Sequence, residues 1–247
     1  MGIFPGMEAT LQNILQQRFK TYARQHPQPL HKHKTVQALM DCRTQVLGGH
    51  MQSCPQGHID RIWYNSCKNR SCPKCSALPT ERWLNSQKAR LLDCDHYHVI
   101  FTLPHQLHAL WWANNRIMTQ LLFQAATSTL TELLNDKKYL GAKPGILASL
   151  HTWGRNLSRH PHLHCLVTGG GINHNNEWMP VKNGYLLPFR VVRSLFRGRF
   201  IAALRNAFRK GTLDLPTELN ESTFHGLLNR LAKKTQWNVH IQERYAH

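Results

Sequence analysis

Between His50 and Ser76 the chain abandons hydrophobic periodicity and instead carries four cysteines, Cys54, Cys67, Cys72 and Cys75, amid Gly, Pro and Asn. A segment this poor in apolar side chains cannot hold itself together by burial, so it needs a cross-link or an ion. The protein has seven cysteines in all, an odd number with most crowded into one window, which favours metal ligation over a disulfide framework. Cys72-Pro73-Lys74-Cys75 is a thiolate pair with two intervening residues, the spacing at which a tight turn aims both sulfurs at one tetrahedral ion. Cys54 comes next. Cys67 and His58 compete for the fourth position or, with Cys42, help form a second site. A closed four-ligand site leaves no open position for catalysis, so the expected ion is a structural zinc.

On either side of this window periodicity returns. Leu11, Ile14, Leu15, Phe19 and Tyr22 recur at helical spacing, as do Val36, Leu39, Met40 and Leu47, the second run stopping at Gly48-Gly49. Two amphipathic helices joined by HPQPLHKH are predicted, with a third restarting near Pro79 in PTERWLNSQKARLL. Together these define a small zinc-stapled helical domain over residues 1–93. The remainder, 94–247, opens with HYHVIFTLP, a β-branched and aromatic run that reads as a buried strand ended by Pro104. A long helix over 106–135 follows, then the short strands GILASLH and HLHCLVT, two more helices and a last strand, WNVHIQE. The order β, α, β, β, α, α, β implies an α+β fold with helices packed on a mainly antiparallel sheet.

The formal net charge is +18 at pH 7, which points to a polyanionic partner. In PFRVVRSLFRGRFIAALRNAFRKG, Phe189, Val192, Phe196, Phe200, Leu204 and Phe208 form one helical stripe, and Arg190, Arg193, Arg197, Arg205 and Arg209 form another. That is a core face backed by a basic face, expected to contact backbone phosphates. No run approaches the about 18 apolar residues of a membrane span. The N-terminus lacks the basic start, apolar middle and small-residue cleavage site of a secretory signal, so a cytoplasmic location is expected.

The most informative string is RHPHLHCLVTGGG. On a strand, His162 and His164 point to one side while Leu163 and Cys165 point into the core. Two imidazoles one residue apart make half a metal site, where a divalent ion would polarise a phosphodiester oxygen. Gly169, Gly170 and Gly171 directly after the strand would let a phosphate chain approach the backbone closely.

RHPHLHCLVTGGG preceded by LHTWGRNL, with NSCKNRSCPKC upstream, resembles the two-tyrosine HUH transposases of rolling-circle insertion sequences, and the motifs stand in that family's order. The resemblance implies a zinc-binding, DNA-binding N-terminal domain and an HUH endonuclease domain with an RRM-like core. It implies that His162 and His164 hold Mg²⁺ or Mn²⁺ against the scissile phosphate of single-stranded transposon ends, while a tyrosine attacks to leave a 5′-phosphotyrosine. A polar residue of a neighbouring strand completes such sites, and His151 at the end of GILASLH is the candidate, with His160 behind it. Imidazole ligands also suggest that Mn²⁺ binds more tightly than Mg²⁺.

Two features depart from that pattern. CPQGH stands where many relatives carry Cys-x2-Cys, so His58 would replace a thiolate. The family's nucleophiles are two tyrosines separated by three residues on a helix after the last core strand, whereas the tyrosines here, at 22, 64, 97, 139, 185 and 245, include no such pair. Tyr245 stands nearest the right place. The expectation is therefore a transposase shortened at its C-terminus that binds transposon ends without forming a covalent adduct. A second reading is a non-enzymatic, zinc-dependent DNA-binding protein that represses transposition. A third is a replication initiator or plasmid relaxase, against which the coupled zinc domain speaks.

Overall fold

The computed structural model describes residues 10–58, 60–154, 156, 158–233 and 237–245, and the chain divides into two compact units, Met1–Leu91 and Leu92–His247. In the first unit, α1 (Leu11–Gln25) is capped by Thr10, whose hydroxyl accepts from the Asn13 amide, and α2 (Leu30–Asp41) follows Pro29. Strands β1 (Gly49–Ser53) and β2 (Asp60–Tyr64) then form an antiparallel hairpin, and α3 (Pro73–Lys88) closes the unit.

Two features differ from the sequence expectation. The hairpin occupies a stretch without strand periodicity, because every residue of β1 is exposed and the pair is held by its backbone rather than by an apolar face. Helix α3 starts at Pro73, with Cys72 as its N-cap, and Pro79 lies inside it. Proline at the first helical position loses only an amide that has no intrahelical acceptor, so Pro73 is the better start. Burial in this unit is slight. Leu39, Cys42 and Cys72 form its buried cluster, with Leu15, Cys67 and Cys75 packed against them, and no residue of α1 is buried.

The second unit comprises β3 (His96–Thr102), α4 (His108–Ala113), α5 (Asn115–Asn135), β4 (Lys143–Trp153), β5 (Arg159–Ile172), β6 (Trp178–Pro180), α6 (Phe189–Arg209), α7 (Glu221–Lys233) and β7 (Asn238–Ile241). Its sheet has the order β4-β5-β3-β7, with β6 on the far end of β5, and every pairing is antiparallel. The α+β fold is the expected one, with the short strand β6 added.

The single helix expected over 106–135 is broken at Asn114, where the backbone turns to φ −132°, ψ 43°. The Asn114 amide donates to the carbonyls of Leu110 and Asp214 and its oxygen accepts from the Asp214 amide. Its side chain thus offers local backbone groups an alternative to the helical ladder and ties the loop after α6 to the α4–α5 corner.

Period-two alternation divides the sheet into two faces. Tyr97, Val99 and Phe101 of β3 and Leu163, Cys165 and Val167 of β5 are buried in one core with Val192, Phe196, Phe200 and Leu204 of α6, and Trp237 packs edge-on against Phe196 and Phe200. Phe189 departs from the predicted stripe: it is 46% exposed, with the guanidinium groups of Arg190 and Arg193 over its ring. The opposite face carries His98 on β3, His151 on β4 and His160, His162 and His164 on β5.

The glycines after the histidine motif are also reassigned. Gly169, Gly170 and Gly171 are buried within β5 itself. A Cβ would lie 2.7 Å from the Asp95 carbonyl oxygen at Gly169, 2.4 Å from the Trp178 ring at Gly170 and 2.5 Å from the Lys143 carbonyl oxygen at Gly171. The space expected for a phosphate is filled by neighbouring backbone and an indole, so these glycines serve strand packing. Gly171→Ala should therefore destabilise the second unit by about 1–3 kcal/mol through overpacking, measured as a lower denaturation midpoint. An unchanged midpoint would return the glycines to a ligand-facing role.

Candidate metal centres

Four thiols converge in the first unit. Cys42 follows the last turn of α2, Cys67 lies in the loop after β2, and Cys72 and Cys75 stand at the cap and first turn of α3. The sulfurs of Cys42 and Cys75 are 3.5 Å apart, those of Cys42 and Cys72 3.6 Å, and those of Cys67 and Cys75 3.7 Å. A tetrahedral zinc with bonds of about 2.3 Å sets its sulfurs about 3.8 Å apart, so the cluster has the dimensions of the ion. Burial raises the Cys42 and Cys67 thiols, the latter to about 12. Cys75, although burial opposes it, is brought down to about 7 by hydrogen bonds with Cys42 and Cys67. One sulfur thus carries charge while its neighbours donate to it, and a bound ion would displace those protons.

Cys54 and His58 are not part of this cluster. They face each other across the turn between β1 and β2, with Sγ 3.6 Å from Nδ1 and also close to the Gln56 side-chain oxygen. Cys42 takes the place that the sequence spacing assigned to them. The helix predicted to run on to Leu47 kept Cys42 out of the first site and left it to a second one, whereas Asp41 is the last residue of α2 and the chain turns there.

In the second unit, β4 and β5 pair in a register that sets His151 directly opposite His162. Residues opposite one another across an antiparallel pair project to the same face, so β4 delivers His151 beside His162 and His164. Ligating nitrogens of the three lie within 4.8 Å of one another. Their ring centroids are 4.3 Å (His151–His164), 4.8 Å (His162–His164) and 5.3 Å (His151–His162) apart. His160 stands one step back, 5.3 Å from His162 and edge-on to His108.

The hydrogen bonds around these rings are specific. His162 Nδ1 lies 2.7 Å from the His160 carbonyl oxygen. A carbonyl only accepts, so Nδ1 carries the proton and Nε2 keeps its lone pair. His164 Nδ1 is 2.6 Å from His98 Nε2, His98 Nδ1 is 2.7 Å from Gln242 Oε1, and that oxygen accepts from the Tyr245 hydroxyl at 2.5 Å. His164 Nε2 is buried and has no hydrogen-bond partner among the described residues. Burial, reinforced by the neighbouring His151, His162 and His98 rings, holds His164 down at about 4, and burial likewise lowers His151. Convergent ring nitrogens, one of them buried without a hydrogen-bond partner, suit a divalent cation. His98 and Gln242 did not stand out in the sequence. The one available signal was alternation in HYHVIFT, which places His98 on the face opposite Val99.

Other predicted site residues lie elsewhere. Arg190, Arg193, Arg197, Arg205 and Arg209 occupy the outer side of α6, whose inner side packs on the core face of the sheet, so they do not meet the imidazoles on the other face. Arg205 donates to Asn229 and Arg209 to Asn206. The Tyr245 backbone bridges to His96, and its half-exposed ring is linked to the imidazoles through Gln242 and His98. No helix among the described residues is long and apolar enough to cross a membrane.

The first unit thus carries a four-thiol cluster with the geometry of a zinc site, and the antiparallel sheet of the second bears three convergent imidazoles. Residues 14–103 match the family described as "Transposase zinc-binding domain", and residues 145–247 match that described as "Putative transposase". Across these two segments the chain is similar to insertion-sequence transposases. It is 39% identical over 217 residues to "Putative transposase y4qJ" of Sinorhizobium fredii, an alignment covering 86% of this chain and 54% of that protein. It is 35% identical over 147 residues to the transposase for insertion sequence element IS801 of Pseudomonas savastanoi pv. phaseolicola, covering 59% and 35%. The chain thus spans about half the length, or less, of these relatives. Among solved structures, conjugative relaxase TrwC is similar in its metal-bound complex with oriT DNA and in a complex with mutant oriT DNA. The TM-scores are 0.38 and 0.36, both at 14% identity, covering 54% of this chain and 52% and 53% of those chains.

Proposed function

We propose that the protein is the strand-cutting and strand-joining transposase of a rolling-circle insertion sequence, acting on single-stranded transposon ends. The observation that carries this reading is the convergence of His151, His162 and His164 on one face of the sheet in a chain similar to transposases. These three residues would hold Mg²⁺ or Mn²⁺, which when bound supplies Lewis-acid polarisation of the scissile phosphodiester. The β4–β5 register positions the imidazoles, and the His160 carbonyl keeps the His162 Nε2 lone pair free. The arginine face of α6 is a separate surface for backbone phosphates, since the sheet stands between it and the imidazoles. Attack at phosphorus requires a hydroxyl nucleophile. The Tyr245 hydroxyl is already engaged with Gln242, so Tyr245 is not assigned that role. Similarity to transposases in both units favours the transposase over the repressor reading.

The chain should bind about one equivalent of Mn²⁺ by calorimetry, and His162→Ala with His164→Ala should abolish that binding while the sheet stays folded. With labelled single-stranded end DNA and Mn²⁺, the 247-residue chain should bind without a covalent band on a denaturing gel. A band lost in Tyr245→Phe would make Tyr245 the nucleophile, and absence of both Mn²⁺ and DNA binding would overturn the transposase reading.

In the first unit the same reading assigns structural zinc to Cys42, Cys67, Cys72 and Cys75. Cys42→Ser should cost the zinc, measured by metal analysis, and with it the fold of this unit, whereas Cys54→Ser should retain both. The reverse result would restore Cys54 and His58 to the ligand set.

A further inference from the structure

We propose that His98 is a positioning residue that fixes the tautomer of His164 and so presents a bare Nε2 to the imidazole centre. This rests on the reading of His151, His162 and His164 as a metal site, and deepens it. If Gln242 Oε1 faces His98, as its hydrogen bonds place it, it can only accept, so His98 Nδ1 must carry a proton. A neutral His98 then has a lone pair on Nε2, and across the 2.6 Å contact His164 Nδ1 must be the donor. That leaves His164 Nε2 without a proton, and this is the atom that is buried and unpartnered. The opposite orientation of Gln242 would reverse every donor in the chain and put a proton on His164 Nε2, where it would block ligation.

Three further contacts hold these groups together. The Tyr245 hydroxyl donates to the same Gln242 oxygen. The Gln242 backbone N–H donates to the His98 backbone carbonyl, holding the two residues side by side across β3 and the segment after β7. The His98 and His164 rings are stacked at 19° with centroids 4.9 Å apart, which fixes the plane of the His164 ring. His162 is oriented by a carbonyl, which can only accept. His164 is oriented by a group that could work either way, so its direction depends on Gln242. Such outer partners typically contribute a factor of about 10–100 in metal affinity.

The test uses the zinc-loaded chain and two readouts. In the chain free of other divalent ions, nitrogen NMR of His164 should show the proton on Nδ1 in the unaltered protein and a shift toward Nε2–H in His98→Phe. Mn²⁺ affinity should fall about 10–100-fold in His98→Phe. It should recover in His98→Gln, whose oxygen can accept from His164, and should fall in Gln242→Leu but not in Gln242→Glu, which can only accept. An Nε2–H tautomer in the unaltered protein, or equal Mn²⁺ affinity across the series, overturns the inference. Failure of the unaltered chain to bind Mn²⁺ would instead overturn the metal-site reading, and the NMR result would still decide the tautomer.

A separate observation in the first unit carries a second inference. A cavity of about 700 Å³ beside the thiol cluster is lined by Arg43, Lys68, Arg70, Lys74 and Trp83 among others, with no carboxylate. It shares Arg43 with a cavity of about 860 Å³ lined by Trp63 and Tyr64, again without a carboxylate. Trp83 is 54% exposed, Trp63 46% and Tyr64 42%. Arg43 and Lys68 hold φ of 57° and 51°, a left-handed backbone that non-glycine residues adopt at a cost. The geometry points to a groove for single-stranded nucleic acid, with cations tracking phosphates and exposed rings stacking on unpaired bases; a duplex would hide those base faces.

Anisotropy titrations of the zinc-loaded chain with a mixed-sequence single-stranded DNA oligonucleotide, over a salt series, test it. Lys68→Glu with Arg70→Glu should weaken binding and reduce the salt slope by about 1.4, at about 0.7 per lost phosphate contact. Trp83→Ala should weaken binding about tenfold with little change in slope. Equal affinity and slope in variants that keep their zinc, or stronger binding of duplex of the same sequence, overturns the groove. No binding by the unaltered chain counts against the transposase reading as well.

Discussion

The imidazole centre hangs on the pairing register of β4 with β5. Moving β4 by one residue would turn His151 toward the helices and an apolar neighbour toward His162 and His164, because side chains alternate faces with a period of two. What prevents the slip is the other face of the same strands. Ile146, Ala148 and Leu150 of β4 pack against the same core in which Leu163, Cys165 and Val167 of β5 are fully buried, and full burial of an aliphatic side chain is worth about 1.5–3 kcal/mol. A strand that must bury alternate residues has no freedom in where it puts the others. Core packing on one side thereby positions site geometry on the other.

The two units secure their folds by different means. The second has a continuous apolar core from β3 through β7. The first buries little beyond Leu39, Cys42 and Cys72, and α1 leaves Leu11, Ile14 and Tyr22 about half exposed. Its four converging sulfurs stand where a core would otherwise be, and an ion held by them joins the end of α2, the loop after β2 and the start of α3. This explains why a segment without hydrophobic patterning can still have a defined shape, and why the groove beside it can spend its side chains on cations and exposed rings.

The strands β3, β4 and β5 and the core stripe of α6 were legible because burial writes a period into the sequence. The same alternation assigned His162 and His164 to one face. The hairpin β1–β2 was illegible for the matching reason: it buries nothing, so it leaves no pattern. Helix α5 was read as longer than it is, since the break at Asn114 depends on Asp214, a hydrogen-bond partner 100 residues away. Gly169, Gly170 and Gly171 were read as room for a ligand, whereas Asp95, Trp178 and Lys143 fill that room from segments distant in the chain.

The sequence by itself determined residue types and local periods: a thiol-rich segment that must bind an ion, a strand carrying two imidazoles on one face, a basic chain and the motif order of a transposase. Only the tertiary structure decided which of these groups meet. It chose Cys42 over Cys54 and His58, because ligand sets are closed by chain reversals at α2 and α3 that spacing does not encode. It brought His151 to His162 and His164 through a strand register, and set His98 and Gln242, 144 residues apart, in contact behind them. Composition and period are properties of neighbours along the chain, whereas a coordination site is a property of neighbours in space, and the packing of the core connects the two.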